Sequence, residues 1–229
     1  MKGKVVLVTG ADGGLGTHVT RAFLEAGATV VGASRTMQQS AFDSPNFTAF
    51  RAEVSTREGA QLLVDQTIAR FGRLDVLAHT VGGFAGGQSL AETDDATFQL
   101  MFDLNLNSVF SMLRAAIPHL RKTDGGRIIA IGSRAAVEPG RGIGAYSASK
   151  AAMVSLIQTA ALENKDAGLT ANVILPGTMD TAGNRKAMPN ADVSKWVQPA
   201  SIASLITWLA SDSGKDVNGA VIPVYGSDV

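Results

Sequence analysis

Lys4-Val5-Val6-Leu7-Val8-Thr9-Gly10-Ala11-Asp12-Gly13-Gly14-Leu15-Gly16 decides the fold. Lys4–Thr9 is β-branched, too short for a helix and closed by Gly10, so it reads as a buried strand. From Gly14 to Gly27 the apolar residues Leu15, Val19, Phe23 and Leu24 fall at three- and four-residue spacings, which predicts a helix. A strand thus turns into a helix through Gly10, Gly13, Gly14 and Gly16. Glycine at such a turn permits positive φ, lets an anion approach the backbone and lets helix and strand pack closely. The N–H groups and dipole at the helix start then favour a phosphate. Asp12 and Leu15 belong to the same candidate phosphate-binding turn. The competing reading is a plain tight turn.

Further along, the same alternation repeats. Thr29–Ala33, Asn46–Arg51, Leu74–Thr80, Arg127–Gly132, Ala171–Leu175 and Ala220–Val224 are apolar enough for strands. Helical patterns fill Thr56–Phe71, Thr93–Lys122 with a bend near Pro118, Tyr146–Ala167 and Pro199–Ser211. Near-continuous apolar strands alternating with helices predict an α/β fold: a Rossmann-like, doubly wound parallel sheet of about seven strands with helices on both faces. Gly82–Ser89 and Met179–Asp192 are the longest irregular pieces. In this architecture, loops at strand C-termini form the site.

Composition bounds the function. The chain has 229 residues, which fits a single domain over residues 1–229. Twenty Lys and Arg balance twenty Asp and Glu, so no surplus of cations favours nucleic acid. Without cysteine there is no disulfide, thiolate zinc site or cysteine nucleophile, and no metal is expected. No apolar run approaches the ~18 residues of a membrane span. A strand beginning so near Met1 leaves no room for a signal peptide, so a cytoplasmic location is expected.

Three more clusters carry chemistry. At the end of the second strand stand Ser34, Arg35 and Thr36, with no acid among them. A carboxylate there suits the ribose hydroxyls of NAD, an arginine the 2′-phosphate of NADP. NADP(H) is therefore the favoured cofactor and NAD(H) the alternative, although Arg35 also reads as a solvated surface residue. Tyr146 and Lys150, four residues apart, share a helical face. An ammonium beside a phenol stabilises phenolate and lowers a pKa that starts near ~10, making an acid/base pair. The bland reading is that the tyrosine packs and the lysine points to water. Ser133 follows the fifth strand, where its hydroxyl can hold a substrate oxygen. Asn105 lies between Leu104 and Leu106, where an apolar residue costs less, so it needs polar partners. One option is an ordered water leading to Lys150. Asn107 reads as a surface residue.

These residues together resemble the short-chain dehydrogenase/reductase family, over nearly the whole chain. Thr9-Gly10-x-x-x-Gly14-x-Gly16 is similar to its nucleotide turn, and Ser133, Tyr146 and Lys150 keep its 13- and 4-residue spacings. Asn105 sits in Asn-Leu-x-Ser-Val-Phe, like the family's fourth catalytic residue. Pro176-Gly177-Thr178-Met179-Asp180-Thr181 resembles its segment beside the nicotinamide, and Leu209–Asp212 and Asn218–Ile222 its C-terminal signature. The resemblance implies a catalytic set of Asn105, Ser133, Tyr146 and Lys150. It also implies cofactor contacts from Gly82, Tyr146, Lys150, Pro176, Gly177, Thr178 and Thr181. Two departures stand out. The family's Asn-Asn-Ala-Gly after the fourth strand is His79-Thr80-Val81-Gly82 here, which makes His79 a core residue. The acid near adenine is Glu53, which is not assigned a contact.

The segments Val81–Gly87 and Thr178–Trp196 are similar to those of dihydropteridine reductase, with Phe84 and Trp196 candidates to wall a flat ring or simply to pack. That enzyme lacks the counterparts of Ser133 and Asn105 and carries an acid after the second strand. The expected function is therefore hydride transfer between nicotinamide and a small-molecule carbonyl or alcohol. Quinonoid pterin reduction is one alternative, and a non-catalytic dinucleotide-binding regulator another. The two long helices resemble those by which the family pairs subunits, so a homodimer or homotetramer is expected.

Overall fold

The computed structural model describes residues 1–227; the last two residues of the expected 1–229 domain lie outside the described residues. Seven strands form one sheet: β1 (Val5–Thr9), β2 (Thr29–Ser34), β3 (Phe47–Arg51), β4 (Val76–His79), β5 (Arg127–Ile131), β6 (Thr170–Pro176) and β7 (Val221–Val224). Their order is β3-β2-β1-β4-β5-β6-β7 and every pairing is parallel. The connections run through α1 (Gly16–Glu25), α2 (Arg57–Phe71), α3 (Asp95–Phe102), α4 (Ser108–Leu120), α5 (Gly144–Glu163), α6 (Ala182–Ala187) and α7 (Pro199–Ala210). The chain therefore forms the doubly wound α/β sheet that the strand–helix alternation predicts. Its order reverses at β1, between β2 and β4, which opens a crevice at the strand C-termini.

Alternation along β1 shows why its residues are apolar throughout. Leu7 points into a core shared with Leu63, Val64, Met112, Met153 and Ile157 of α2, α4 and α5. Val6 and Val8 point to the other face, against Val19 and Phe23 of α1 and Ile202 and Ile206 of α7. Side chains on successive residues leave opposite faces of a strand, so a sheet covered on both sides needs apolar residues at every position.

Helix ends follow local chemistry. Thr56 caps α2 by accepting from Gly59 N, and Asp94 caps α3 by accepting from Thr97 N. Gly72 ends α2 with φ +73°, a left-handed conformation that glycine adopts without penalty. One expectation is corrected here. The helix predicted over Thr93–Lys122 is interrupted at a π-helical turn, Asp103–Asn107, rather than at Pro118, which sits inside α4. The extra residue of that turn brings Asn105 to complete burial. A second difference is α6, which occupies part of the stretch read as irregular and is capped by Thr181.

At the opposite edge of the sheet, Asp75 is buried just before β4. Its carboxylate accepts from Val5 N at 2.8 Å and from Arg73 Nε and Nη2 at 2.9 and 2.6 Å, with Lys4 Nζ 3.8 Å away. This ties the start of β1 to the start of β4. The reactive residues all lie at the other end. No helix among the described residues is long and apolar enough to cross a membrane.

Candidate active site

A cleft of about 1040 Å³ runs along the C-terminal edge, from the β1–α1 turn to the loops after β4, β5 and β6. At one end the turn leaves no space for side chains. A Cβ on Gly16 would lie 1.9 Å from the Gly10 carbonyl oxygen, and one on Gly14 would lie 2.9 Å from Thr181 Cγ2. Gly10 itself has φ +72°. Unlike α2 and α3, α1 carries no side-chain cap and no acid in its first turn. The start of α1, Gly16 and Thr17, lines the cleft without a side-chain cap, which suits an anion. The pyrophosphate of a dinucleotide fits this cradle. Thr181 reaches the turn from the far side of the cleft, so Gly10, Gly13, Gly14, Leu15 and Gly16 share one wall system with Pro176, Gly177, Thr178 and Thr181.

The structure adds an acid at the tip of β2, where the local sequence has none. Asp12 Oδ2 accepts from the Ser34 hydroxyl at 2.6 Å and the Thr36 hydroxyl at 2.7 Å. Burial alone would raise its carboxyl, but those two hydroxyls and the backbone hold it below the ordinary value, so it is ionised. Both hydroxyls that the sequence offers as helpers of Arg35 are thus engaged with a carboxylate. The Arg35 side chain is 75% exposed and lies 3.8 Å from Glu53.

Tyr146, Lys150, Ser133 and Asn105 come together around Gly82. Tyr146 and Lys150 lie one turn apart on α5. Ser133 leaves β5 and accepts from Ala135 N at 3.2 Å, and a further hydrogen bond joins its side chain to that of Tyr146. The Lys150 side chain is buried, with Nζ donating to the Ile131 carbonyl at 2.9 Å. A Cβ on Gly82 would meet both Lys150 Nζ and Asn105 Oδ1 at 3.0 Å, so a side chain there would push on both groups. Asn105 exchanges two hydrogen bonds with Gly83, accepting from its N at 3.0 Å and donating to its carbonyl at 3.1 Å. It also donates to Ser149 Oγ. Its carboxamide is spent on holding the loop after β4 against α5.

The direction of the Tyr146 shift corrects a simple reading of the tyrosine–lysine spacing. Burial pushes the phenol above its ordinary value, and the Ser133 bond only partly opposes this. Burial also pushes the Lys150 amine down from 10.5 to about 8. Desolvation disfavours both charged forms, and here it outweighs any mutual stabilisation. Nearby, His79 is fully buried between Thr9 Oγ1 at 2.9 Å and Ser108 Oγ at 3.3 Å, a core position as expected. Burial and the charge of Lys150 push it down to about 3, so it is neutral.

The two candidate aromatic walls separate. Trp196 is 8% exposed and does not line the cleft. Phe84 is 67% exposed, lines the cleft, and meets the Tyr146 ring edge-on with centroids 5.0 Å apart. Sequence reasoning missed the pair beyond them, Arg134 and Glu138, joined at 2.6 Å at the cleft wall. Their i, i+4 spacing was the available signal. Among the described residues no cluster of three or more histidine or acidic side chains could hold a metal ion.

Comparison with known proteins agrees with this geometry. The family described as short chain dehydrogenase matches residues 4–192. The chain is 29% identical to 3β-hydroxysteroid dehydrogenase 2 of Eggerthella lenta, over 99% of this chain and 95% of that protein. It is also 29% identical to the 2-dehydro-3-deoxy-D-gluconate 5-dehydrogenase of Escherichia coli K12, with the same coverage of both. Among solved structures, ElxO with NADP bound superposes with a TM-score of 0.91 at 26% identity, covering 99% of this chain and 98% of that one.

Lys150 makes a testable link between site and stability. Its folded pKa lies below the unfolded one, so its contribution to stability is complete above about 10.5 and is lost as pH falls through about 8. At pH 7 the folded protein bears the cost of a buried ammonium. Lys150→Met is expected to be more stable than wild type at pH 7 by roughly 2 kcal/mol, with the gain shrinking by pH 10. Urea unfolding at the two pH values checks this; a less stable variant, or a pH-independent difference, goes against it.

Proposed function

Because the chain belongs to the short-chain dehydrogenase family and is a nicotinamide-dependent oxidoreductase within it, we propose that it reduces the carbonyl of a small-molecule substrate, with NADP(H) as the preferred dinucleotide. The observation that carries this reading is the convergence of Tyr146, Ser133 and Lys150 on one cleft: a phenol hydrogen-bonded to Ser133, one helical turn from a buried amine, is set to share a proton with a substrate oxygen. In this reading the chain is a single domain, with catalysis at the C-terminal edge of its sheet. The NADP-bound state of the ElxO structure supports the choice of dinucleotide.

In this reading, Ser133 and Tyr146 together receive the substrate oxygen. Ser133 Oγ accepts from Ala135 N and is hydrogen-bonded to Tyr146, so the two hydroxyls are held side by side to share a substrate oxygen. A dihydronicotinamide held in the cleft would be the source of the hydride. Tyr146 gives its proton to the oxygen as negative charge develops there. The Lys150 ammonium, anchored on the Ile131 carbonyl, stabilises the phenolate left behind. Asn105 is a positioning residue: its paired bonds to Gly83 keep Gly82 between itself and Lys150. The glycine turn and the start of α1 would hold the pyrophosphate, with Thr178 and Thr181 also lining the cleft there.

Dinucleotide choice is a contest between two side chains. Arg35 is the cation placed to pair with a 2′-phosphate. Asp12 is an ionised acceptor suited to ribose hydroxyls, and it repels a phosphate. The two relatives' names, a hydroxysteroid and a sugar-acid dehydrogenase, agree on alcohol–carbonyl chemistry and differ on substrate. Self-association belongs to the same reading: Phe98 and Leu100 of α3, Phe110 of α4 and Leu162 of α5 expose apolar surface that a second copy would cover.

Three measurements test these roles. Tyr146→Phe is expected to lower kcat for carbonyl reduction by about 10²–10⁴ while dinucleotide binding is kept; activity surviving the change would remove Tyr146 as the acid. By fluorescence titration, Arg35→Ala is expected to weaken NADPH about tenfold more than NADH, and Asp12→Asn to shift the ratio the opposite way. Equal changes for both dinucleotides would refute the contest. Sedimentation velocity is expected to show a dimer or tetramer that the double variant Phe110→Glu/Leu162→Glu dissociates; a monomeric wild type would end that assignment.

A further inference from the structure

The reductase reading leaves open what kind of carbonyl reaches Tyr146, and the cleft wall carries the answer further. Phe84 projects from a loop that is held, not loose. Gly83 is tied to Asn105 by two hydrogen bonds, Ala85 N donates to Met101 Sδ at 3.2 Å, and Gly87 N donates to the Gly142 carbonyl at 2.8 Å. Gly86 is itself pressed close to the same carbonyl, where a Cβ would lie 2.8 Å from the oxygen. A phenylalanine 67% exposed on a segment tied at both ends presents an apolar ring at a fixed place, at no further ordering cost when a ligand arrives. That place is beside the reaction centre. The Phe84 and Tyr146 rings meet at 78° with centroids 5.0 Å apart, so an oxygen held by Tyr146 belongs to a molecule lying along Phe84. Ile143, Met179 and Met188 line the same cleft. Two of these three are thioethers, which adapt their shape to a flat apolar body.

The charges at this end point the same way. Arg134 and Glu138 both line the cleft, and they are paired at 2.6 Å. The Arg134 guanidinium also lies 4.9 Å from the centre of the Tyr225 ring. An anionic substrate would have to displace Glu138 from this pair, or sit beside its carboxylate. Lys150, the other cation lining the cleft, is buried on the Ile131 carbonyl. A neutral substrate meets no such cost.

We propose that the substrate is an uncharged compound whose reacting carbonyl is attached to, or part of, a flat ring, such as an aryl ketone, aryl aldehyde or quinone, with the ring lying against Phe84. This rests on the carbonyl-reductase reading and narrows it. Carboxylated and phosphorylated carbonyl compounds are disfavoured because Glu138 already occupies Arg134 at the wall, and puckered saturated rings lose the flat contact with Phe84.

Binding separates this proposal from the chemistry. The probes are 2-acetylnaphthalene, its saturated counterpart 2-acetyldecalin and its anionic counterpart 2-naphthylglyoxylate. They are titrated calorimetrically into protein saturated with NADP⁺, a state in which a ketone cannot be reduced. The naphthyl ketone is expected to bind about tenfold more tightly than either counterpart. In Phe84→Leu, which keeps apolar volume without a flat face, its advantage over the decalin is expected to fall to about twofold or less. An unchanged thermal midpoint certifies that this variant is folded. Glyoxylate binding as tightly as the ketone, decalin binding as tightly, equal loss of all three ligands in Phe84→Leu, or no binding of the naphthyl ketone would each overturn the proposal. The two readings also fail separately. Tyr146-dependent reduction of the glyoxylate in preference to the ketone keeps the reductase and removes the flat-ring substrate. Tight ketone binding without turnover by NADPH or NADH keeps the ring site and removes the reductase.

Discussion

With only 1.9 Å between the place of a Cβ on Gly16 and the Gly10 carbonyl oxygen, β1 passes into α1 with no side chain between them. That close approach sets the position of every other part of the cleft. It brings the start of α1 to the switch point of the sheet, where β1 separates β2 from β4. Thr181 then packs on Gly14 from across the crevice, and Asp12 reaches the hydroxyls at the end of β2. A side chain at this turn would move the helix, and with it the first N–H groups of α1, away from both.

The second organising element is burial at the ends of β4 and β5. Asn105 ties the β4 loop to the helix that carries Tyr146, and Lys150 is pinned to the last residue of β5. Desolvation acts on all three titratable groups here: it raises the phenol, lowers the amine and leaves His79 neutral. In so dry a site the phenol keeps its proton, and neighbouring charges act on it with little screening.

What could be read from sequence was what depends on neighbours along the chain. The parallel sheet followed from apolar runs and the helices between them. The glycine turn and the Tyr146–Lys150 spacing are contiguous patterns whose geometry is local, and they converge in the cleft as the motifs imply. The features that escaped depend on residues far apart. Asp12 and Ser34 are 22 residues apart, so the carboxylate at the tip of β2 had no local signature. The interruption near Asn105 arises from packing of its carboxamide on Gly83 and Ser149, and Pro118 was a misleading local cue. Phe84 and Trp196 looked alike as loop aromatics, yet one is held at the cleft and the other buried, because tertiary contacts alone decide between those fates. The direction of the Tyr146 shift likewise depends on how much water the fold removes.

Asp75 gives the molecule a division of labour. Its buried carboxylate locks the first residues of β1 and β4 together at the end of the sheet farthest from Tyr146, through Val5 N, Arg73 and Lys4. Strand register is therefore secured where no chemistry takes place. That register does not depend on the loops at the other end of the sheet, Gly82–Ser89 and Met179–Asp192. Such a scaffold is open to diversification: residues of these loops can vary while the alignment of the strands is inherited intact.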